Sequence, residues 1–295
     1  MRAPSSIAPS QPAPVVRLGL IGDNIRDSRS PDLHRLAGRL CGLDVRYELI
    51  VPQESGQPFD AVFDACQRDG LRGVNVTYPY KERVVSRLTS RNADVARVGS
   101  ANTVVFEPDG PAGYNTDYLG FIAAYRVRFG ERPPGRVALV GAGGVGRAIA
   151  FALVGLGASE LRIFDTDQAR ADRLAAALSA LIAGESVQTG GDIGALLRGA
   201  DGVVNCTPIG MTGKPGSAVP PQLLGRRGWA FDAVYTPVET QFLAAAANAG
   251  LETLTGYELF FHQGVSAFEL FTGRLPPLEA LRRELGSPPQ HKEMS

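Results

Sequence analysis

RVALVGAGGVGRAIAFAL, residues 136–153, decides the class of the fold. A β-rich run leads into a turn where Gly141, Gly143 and Gly146 stand in GxGxxG spacing, and an amphipathic helical run leaves it. The first glycine permits the tight turn, the second lets backbone approach a pyrophosphate, and the third lets helix and strand pack closely. With Ala142, Gly144 and Val145 between them, these residues are candidate cofactor ligands, because backbone amides at a helix start face an anion. A glycine-rich turn without ligand is the bland alternative, and the strand before and helix after argue against it.

The next strand, ELRIFD, ends at Asp165, nineteen residues past Gly146. The adenine ribose of a dinucleotide is expected there. A carboxylate accepts the ribose hydroxyl protons of NAD and repels the 2′-phosphate of NADP. Asp167 adds negative charge, and only Arg170 is placed to oppose it. NAD is therefore expected over NADP. Asp165 could instead cap the following helix, although Asp167 could do that equally well and leave Asp165 free.

Working outward, short β-rich runs alternate with helical ones from Val15 onward, the pattern of an α/β protein with largely parallel sheets. Strands are expected at VVRLGLIG, VRYELIV, LRGVNVT and ANTVVF, with helices at PDLHRLAGRL, PFDAVFDACQRDG and KERVVSRL. After the breaker GERPPG, strands at RVALVGAGG, ELRIFD, DGVVNCT and WAFDAV alternate with helices at VGRAIAFALVGLG, QARADRLAAALSALIAG and VETQFLAAAANAG. A helix over Tyr118–Phe129 connects the halves, and two further helices follow Leu254. The reading is a two-domain α/β chain. Residues 15–117 and 255–287 form an α/β substrate domain completed by C-terminal helices, and 118–254 a Rossmann-like nucleotide-binding domain. Residues 1–14 and 288–295 read as tails.

Acidic and basic side chains balance at 30 each in 295 residues, so no overall field favours nucleic acid or a charged membrane surface. A small-molecule partner is the better expectation. Cys41, Cys66 and Cys206 are widely spaced, without a CxxC pair or nearby histidine, so neither metal site nor disulfide framework is expected. Free thiols and the lack of an apolar leader point to the cytoplasm. A homodimer is left open.

Two other stretches carry chemistry. In SRSP, residues 28–31, Ser30 is expected to cap a helix that begins at Pro31. Ser28 is spare, and two hydroxyls at a helix N-terminus suit a carboxylate. In GVNVTYPYK, residues 73–81, a strand runs into a proline turn that presents Lys81.

Several segments together resemble the shikimate dehydrogenase family, nearest in pattern to its NAD-dependent quinate/shikimate dehydrogenase branch. They are SRSP, GVNVTYPYK, GSANTV (99–104), YNTD (114–117), GAGGVG (141–146), NCTPIGM (205–211), DAVYTP (232–237), and Gly256 with Gln263. The resemblance implies an active site in a cleft between the domains. Ser28 and Ser30 would bind the substrate carboxylate, and Thr77, Asn102, Asp117 and Gln263 the ring hydroxyls. Tyr235 would line the cleft, Gly256 would lie near the nicotinamide, and Lys81 would be the acid/base with Asp117 beside it. Partial burial would favour the neutral amine that takes a proton, whereas a neighbouring carboxylate would oppose this. Taken singly, Lys81 could be a surface residue, Asn102 and Asp117 turn-satisfying groups, Tyr235 core, and His262 a packed ring.

The chain also departs from the family pattern. Asp27 stands where many members have histidine, Tyr118 where glycine is common, and Asp165-Thr166-Asp167 where NADP-using members often read Asn-Arg-Thr. The expected function is an NAD-dependent oxidoreductase interconverting shikimate and 3-dehydroshikimate, and also acting on quinate. An NADP-dependent biosynthetic shikimate dehydrogenase and a non-catalytic dinucleotide-binding sensor are the alternatives.

Overall fold

The computed structural model describes residues 13–179, 181, 186–225 and 228–286. The expected tails at 1–12 and 288–295 lie outside these residues, as does the end of the helix expected to run past Ser179. Only Ala13 and Pro14 of the first tail are described, and the Pro14 carbonyl accepts from Asp44 N–H at 3.0 Å, so the chain is already held at the entry to the first strand.

The first part of the chain carries β1 (Val15–Ile21), α1 (Ser30–Leu40), β2 (Asp44–Ile50), α2 (Pro52–Ser55), α3 (Phe59–Arg68) and β3 (Gly73–Val76). A 3₁₀ turn (Arg83–Arg87), β4 (Ser90–Arg91), α4 (Ala93–Val98), β5 (Thr103–Glu107) and β6 (Gly110–Tyr114) complete it. Then come α5 (Thr116–Phe129), β7 (Arg136–Val140), α6 (Gly144–Gly155), β8 (Glu160–Phe164), α7 (Gln168–Ser179), β9 (Val187–Thr189), α8 (Ile193–Leu197), β10 (Gly202–Asn205) and a second 3₁₀ turn (Pro221–Leu223). The chain continues through β11 (Trp229–Asp232), α9 (Gln241–Asn248), β12 (Glu252–Leu254), α10 (Gly256–Thr272) and α11 (Leu278–Leu285).

The strands make two six-stranded sheets. The second has the order β12-β11-β10-β7-β8-β9, parallel throughout, the doubly wound nucleotide-binding order. Its order reverses between β7 and β10, so the crevice for a ligand opens where Gly141 leaves β7 and Cys206 leaves β10. The first sheet has the order β2-β1-β3-β5-β6-β4. It is mixed rather than largely parallel, because β5 runs antiparallel to both β3 and β6. The expected helix at KERVVSRL is only the 3₁₀ turn: β4 begins at Ser90 and pairs with β6, which takes the chain into the sheet before a full helix can form.

Helix α5 joins the halves and is packed on both sides. Phe121 meets Phe231 of β11 edge-on at 4.9 Å, and Tyr125 meets Trp229 at 5.3 Å. The Tyr118 hydroxyl sits over Gly155 of α6, where a Cβ would lie only 3.0 Å away. That notch gives the bulky Tyr118 room against α6. On the opposite side, Gly120 lets α5 meet α10: a Cβ there would come within 2.6 Å of the Gln263 amide nitrogen. Across the back of the cleft, Arg147 on the first turn of α6 donates to the Val98 carbonyl at the end of α4.

Gly120→Ala should force α5 and α10 apart and cost about 1–3 kcal/mol, the scale of overpacking a core. Calorimetry is expected to show a melting temperature several degrees lower; an unchanged melting temperature would mean that the helices have slack at this crossing.

Candidate active site

The cleft is built around the ends of three segments that sequence places far apart. Tyr80 anchors the turn after β3: its ring stacks on Phe59 at 4.7 Å, its hydroxyl donates to Asp23 Oδ1 at 2.8 Å, and its N–H donates to the Thr77 carbonyl at 2.9 Å. Lys81 follows, and its carbonyl accepts from Ala101 N–H at 2.9 Å. That bond ties the lysine to the GSANT turn. The turn in turn holds the start of α5, where Asn115 caps by accepting from Tyr118 N–H and Asn102 Oδ1 accepts from Thr116 N–H at 2.6 Å. Asp117, in the first turn of α5, is thereby brought to Lys81.

Lys81 Nζ donates to Asp117 Oδ2 at 2.6 Å, and the two side chains are only 11% and 8% exposed. A pair so far out of water is little screened, and its geometry matters more than that of a surface pair. The lysine stem also lies against the dinucleotide turn: a Cβ on Gly144 would be 3.4 Å from Lys81 Cβ and Cδ. The lysine stem therefore runs beside the start of α6 while its amine meets the Asp117 helix.

The glycine turn fits an anionic cofactor. Gly141 has φ +100°, and a Cβ on Gly146 would fall 1.8 Å from the Gly141 carbonyl oxygen, so both positions require glycine. A Cβ on Gly143 would meet nothing within 4 Å, which leaves open space before the leading amides of α6. Asp167 caps α7 by accepting from Arg170 N–H at 3.2 Å, and its other oxygen lies 3.9 Å from Arg170 Nε. Asp165 is not thereby free: it accepts from Ala142 N–H at 2.7 Å and from Asp167 N–H at 2.9 Å. It braces the glycine turn, and a carboxylate with about four lone-pair sites still has room for ribose hydroxyls.

On the far side of the cleft, α1 begins at Ser30 and not at Pro31. The expected Ser30 cap does not form: Arg29 is the N-cap residue and no side chain caps the helix, while Ser28 Oγ, just outside it, accepts from Ser30 N–H at 3.2 Å; Ser30, already the first helical residue, cannot cap the helix it belongs to. Tyr235 stacks on Phe260 at 4.9 Å, and burial pushes its hydroxyl pKa up, against the opposing effect of the Ser28 and Arg29 groups. Asn102 Nδ2 reaches Gln263 Oε1 at 3.5 Å, and Gln263 Nε2 donates to the Phe260 carbonyl at 3.1 Å. The Thr77 methyl packs over Gly22. Gly256 is placed by packing, since a Cβ there would be 2.4 Å from the Val234 carbonyl. The His262 side chain is largely buried; its Nε2 has no hydrogen bond among the described residues, lies 3.9 Å from the Glu258 carboxylate, and burial lowers its pKa. No cluster of three or more His, Cys, Asp or Glu side chains suited to a metal occurs among the described residues, and no helix there is long and apolar enough to cross a membrane.

Sequence reasoning overlooked the polar groups behind these residues: Tyr47, Asn75, Thr103, Thr116 and Asp232, all nearly or wholly buried. The available signal was an asparagine between two valines in GVNV, a strand buried along its whole length. Asp232 ties the NCTP and VYTP turns together, accepting from Asn205 Nδ2 (2.9 Å), Val234 N–H (3.0 Å) and Thr240 Oγ1 (2.6 Å).

Comparison with known proteins gives matches over nearly all of this architecture. Residues 20–104 match the shikimate dehydrogenase substrate binding domain, and residues 256–285 the shikimate 5′-dehydrogenase C-terminal domain. The quinate/shikimate dehydrogenase (NAD(+)) of Corynebacterium efficiens is 38% identical over 273 residues, covering 90% of this chain and 96% of that protein. The shikimate dehydrogenase (NADP(+)) of Streptomyces avermitilis is 40% identical over 265 residues, covering 88% and 91%. Among solved structures, quinate dehydrogenase from Corynebacterium glutamicum in complex with NAD superposes with a TM-score of 0.85 at 38% identity, covering 92% of this chain and 98% of that one. Shikimate 5-dehydrogenase from Thermus thermophilus, in complex with NADP(H) and shikimate, gives 0.80 at 31% identity, with coverage of 92% and 98%.

Burial pushes the Asp232 pKa up to about 6 from 3.8, against the opposing hydrogen bonds. Because the folded value lies above the unfolded one, the associated stability is complete below about pH 3.8 and is lost as pH rises through about 6. Asp232→Asn cannot titrate, so wild-type stability should fall relative to this variant by about 2 kcal/mol between pH 4 and pH 7. Urea unfolding across that range checks it, and parallel curves would refute the buried charge.

Proposed function

This chain belongs to the shikimate dehydrogenase family, and from that premise we propose that it is an NAD-dependent dehydrogenase interconverting shikimate and 3-dehydroshikimate, with quinate as a further substrate. The observation that carries the reading is the Lys81–Asp117 contact of 2.6 Å beside the glycine turn. Bound NAD supplies the hydride acceptor. The protein must do the rest.

Oxidising a secondary alcohol to a ketone releases a hydride to the cofactor and the hydroxyl proton to the protein. Lys81 Nζ is the group placed to take that proton in one direction and to return it to the carbonyl oxygen in the other. Asp117 Oδ2 aims the amine and limits its rotation, which contributes through positioning. Ser28 and Ser30 donate to the substrate carboxylate, with the Tyr235 hydroxyl beside them. Thr77, Asn102 and Gln263 receive the ring hydroxyls, and these short polar contacts select a polyol ring over an apolar one. The substrate side is residues 15–117 with 255–287, and the cofactor side is 118–254.

The leading amides of α6, in the Gly141–Gly146 turn, hold the pyrophosphate, and Gly256 borders the nicotinamide position. Asp165 sets the choice of NAD over NADP. Overall identity does not separate the two kinds of relative, at 38% and 40%. The local charge favours NAD: Asp165, bonded to the Ala142 amide of the glycine turn, would meet the ribose, and Arg170 lies 3.9 Å from Asp167. The three free cysteines suit a cytoplasmic setting.

Purified protein assayed with shikimate and quinate against NAD and NADP, following reduced nicotinamide, should show turnover with NAD preferred; a preference for NADP would sink the Asp165 reading. Lys81→Ala should lower kcat at least about a hundredfold while leaving KM for NAD nearly unchanged. Asp165→Asn should erode the NAD preference by about 1–3 kcal/mol. Full turnover without Lys81 would remove it from the chemistry.

A further inference from the structure

The first turn of α6 meets the other half of the chain at two points on one face, since residues three apart on a helix are neighbours. Gly144 and Arg147 are that pair. The Lys81 stem lies beside Gly144, where a Cβ would be 3.4 Å from Lys81 Cβ and Cδ. Arg147 Nε donates to the carbonyl of Val98, the last residue of α4. Its guanidinium lies along the turn that ends that helix: a Cβ on Gly99, at φ +72°, would be 3.3 Å from Nη2 and 3.5 Å from Nε. The Arg147 amide donates to the Gly143 carbonyl at 2.8 Å, so this side chain is rooted in the glycine turn.

What Arg147 grips is the segment that places the reacting groups. Ser100 is wholly buried and accepts from Asn115 Nδ2 at its carbonyl (2.9 Å) and its hydroxyl (3.2 Å), and Asn115 caps α5. Ala101 N–H donates to the Lys81 carbonyl at 2.9 Å. The Asn102 carbonyl accepts from Val76 N–H, at the end of β3, at 2.9 Å. Residues 98–102 are thus bonded to the cofactor-side helix, to the lysine and to the helix that carries Asp117.

The two contacts on α6 differ in kind. A stem packed on a glycine is held by dispersion, which has no preferred direction. A guanidinium N–H on a carbonyl has one, and it weakens steeply when bent. Arg147 is therefore the contact that fixes both distance and angle between α6 and the lysine. Capping the end of α4 is the plainer role for this bond, and it predicts lost stability without an effect on chemistry.

We propose that Arg147 is a positioning residue: by holding the Val98 carbonyl it fixes residues 98–102 against the first turn of α6, and so sets where the Lys81 amine stands relative to the cofactor turn. The proposal rests on the reading of Lys81 as the acid/base.

Arg147→Met keeps a long unbranched stem beside Phe151, whose ring centroid lies 5.6 Å from the guanidinium carbon, and removes the donors. With shikimate and NAD, kcat should fall at least about tenfold, since a misplacement of about 1 Å far from the chemistry costs up to about a hundredfold. Calorimetric Kd values for NAD and for shikimate, each titrated alone, should stay within about threefold. Hydrogen exchange of the ligand-free protein gives a readout apart from turnover: the Ala101 amide should exchange at least about tenfold faster in the variant, with the amides of β11 unchanged. Arg147→Lys keeps the charge and a donor but not the rigid fork, so its kcat should fall between those of wild type and Arg147→Met; it decides alone if Arg147→Met does not fold. Wild-type kcat in either variant would overturn the proposal. So would equal acceleration of exchange at Ala101 and in β11, the mark of a purely structural role. Wild-type protein that binds both ligands without turning shikimate over would refute the acid/base reading and this inference with it, whereas wild-type turnover that Arg147→Met leaves intact would refute the inference alone.

Discussion

A lysine that donates to an aspartate at 2.6 Å, each about nine-tenths withdrawn from solvent, imposes the strictest condition on this molecule. Removing either partner would leave a charge stranded in poor dielectric, at a cost of several kcal/mol. The surrounding structure is arranged so that neither can drift. The Lys81 carbonyl is tied to Ala101, Asn102 and Asn115 hold the start of α5, and Asp117 sits one residue into that helix. The N-terminal end of α5 also favours the carboxylate through its helix dipole. Fixing two charges at the mouth of a cleft is costly for folding and useful for chemistry, since a preset amine needs no reorganisation when an alcohol arrives.

Glycine is what lets the two halves approach that pair. At Gly146 the helix presses on the Gly141 carbonyl, at Gly120 α5 presses on the Gln263 backbone, and at Gly256 α10 presses on the Val234 carbonyl. Each is a backbone-to-backbone contact that a single methyl would spoil. Only the first belongs to a cofactor motif. The others set the relative placement of α5, α10 and the β11 turn, so cleft geometry depends on small residues that touch neither reactant.

Behind the site, buried polar groups determine which atoms face the cleft. Asn102 Oδ1 is used by Thr116, so its amide nitrogen is the group left for the cleft side. Asp232 similarly fixes two turns by three hydrogen bonds, and its burial shifts it far enough to make the fold sensitive to pH between about 4 and 6. Such networks contribute orientation more than stability.

Much of this could be read from local sequence. The GxGxxG turn between strand and helix predicts the parallel, doubly wound sheet, because its constraints act within a dozen neighbouring residues. The short strand GPAGY escaped notice, since two glycines and a proline carry almost no β signal; the hairpin turn PDG before it was the usable cue. Ser30 was misread as a cap by one position, the usual slack of a helix boundary. Long-range contact is a different matter. That Lys81 meets Asp117, that Asp165 braces Ala142 instead of standing free, and that Tyr47 meets Asn75 all depend on side chains from separate segments converging. The sequence by itself determined the elements and the kinds of chemistry they could carry, because propensity and turn geometry are local. Only the tertiary structure decided which donor faces which acceptor, because hydrogen bonds and ion pairs act over about 3 Å and no one-dimensional spacing encodes that distance.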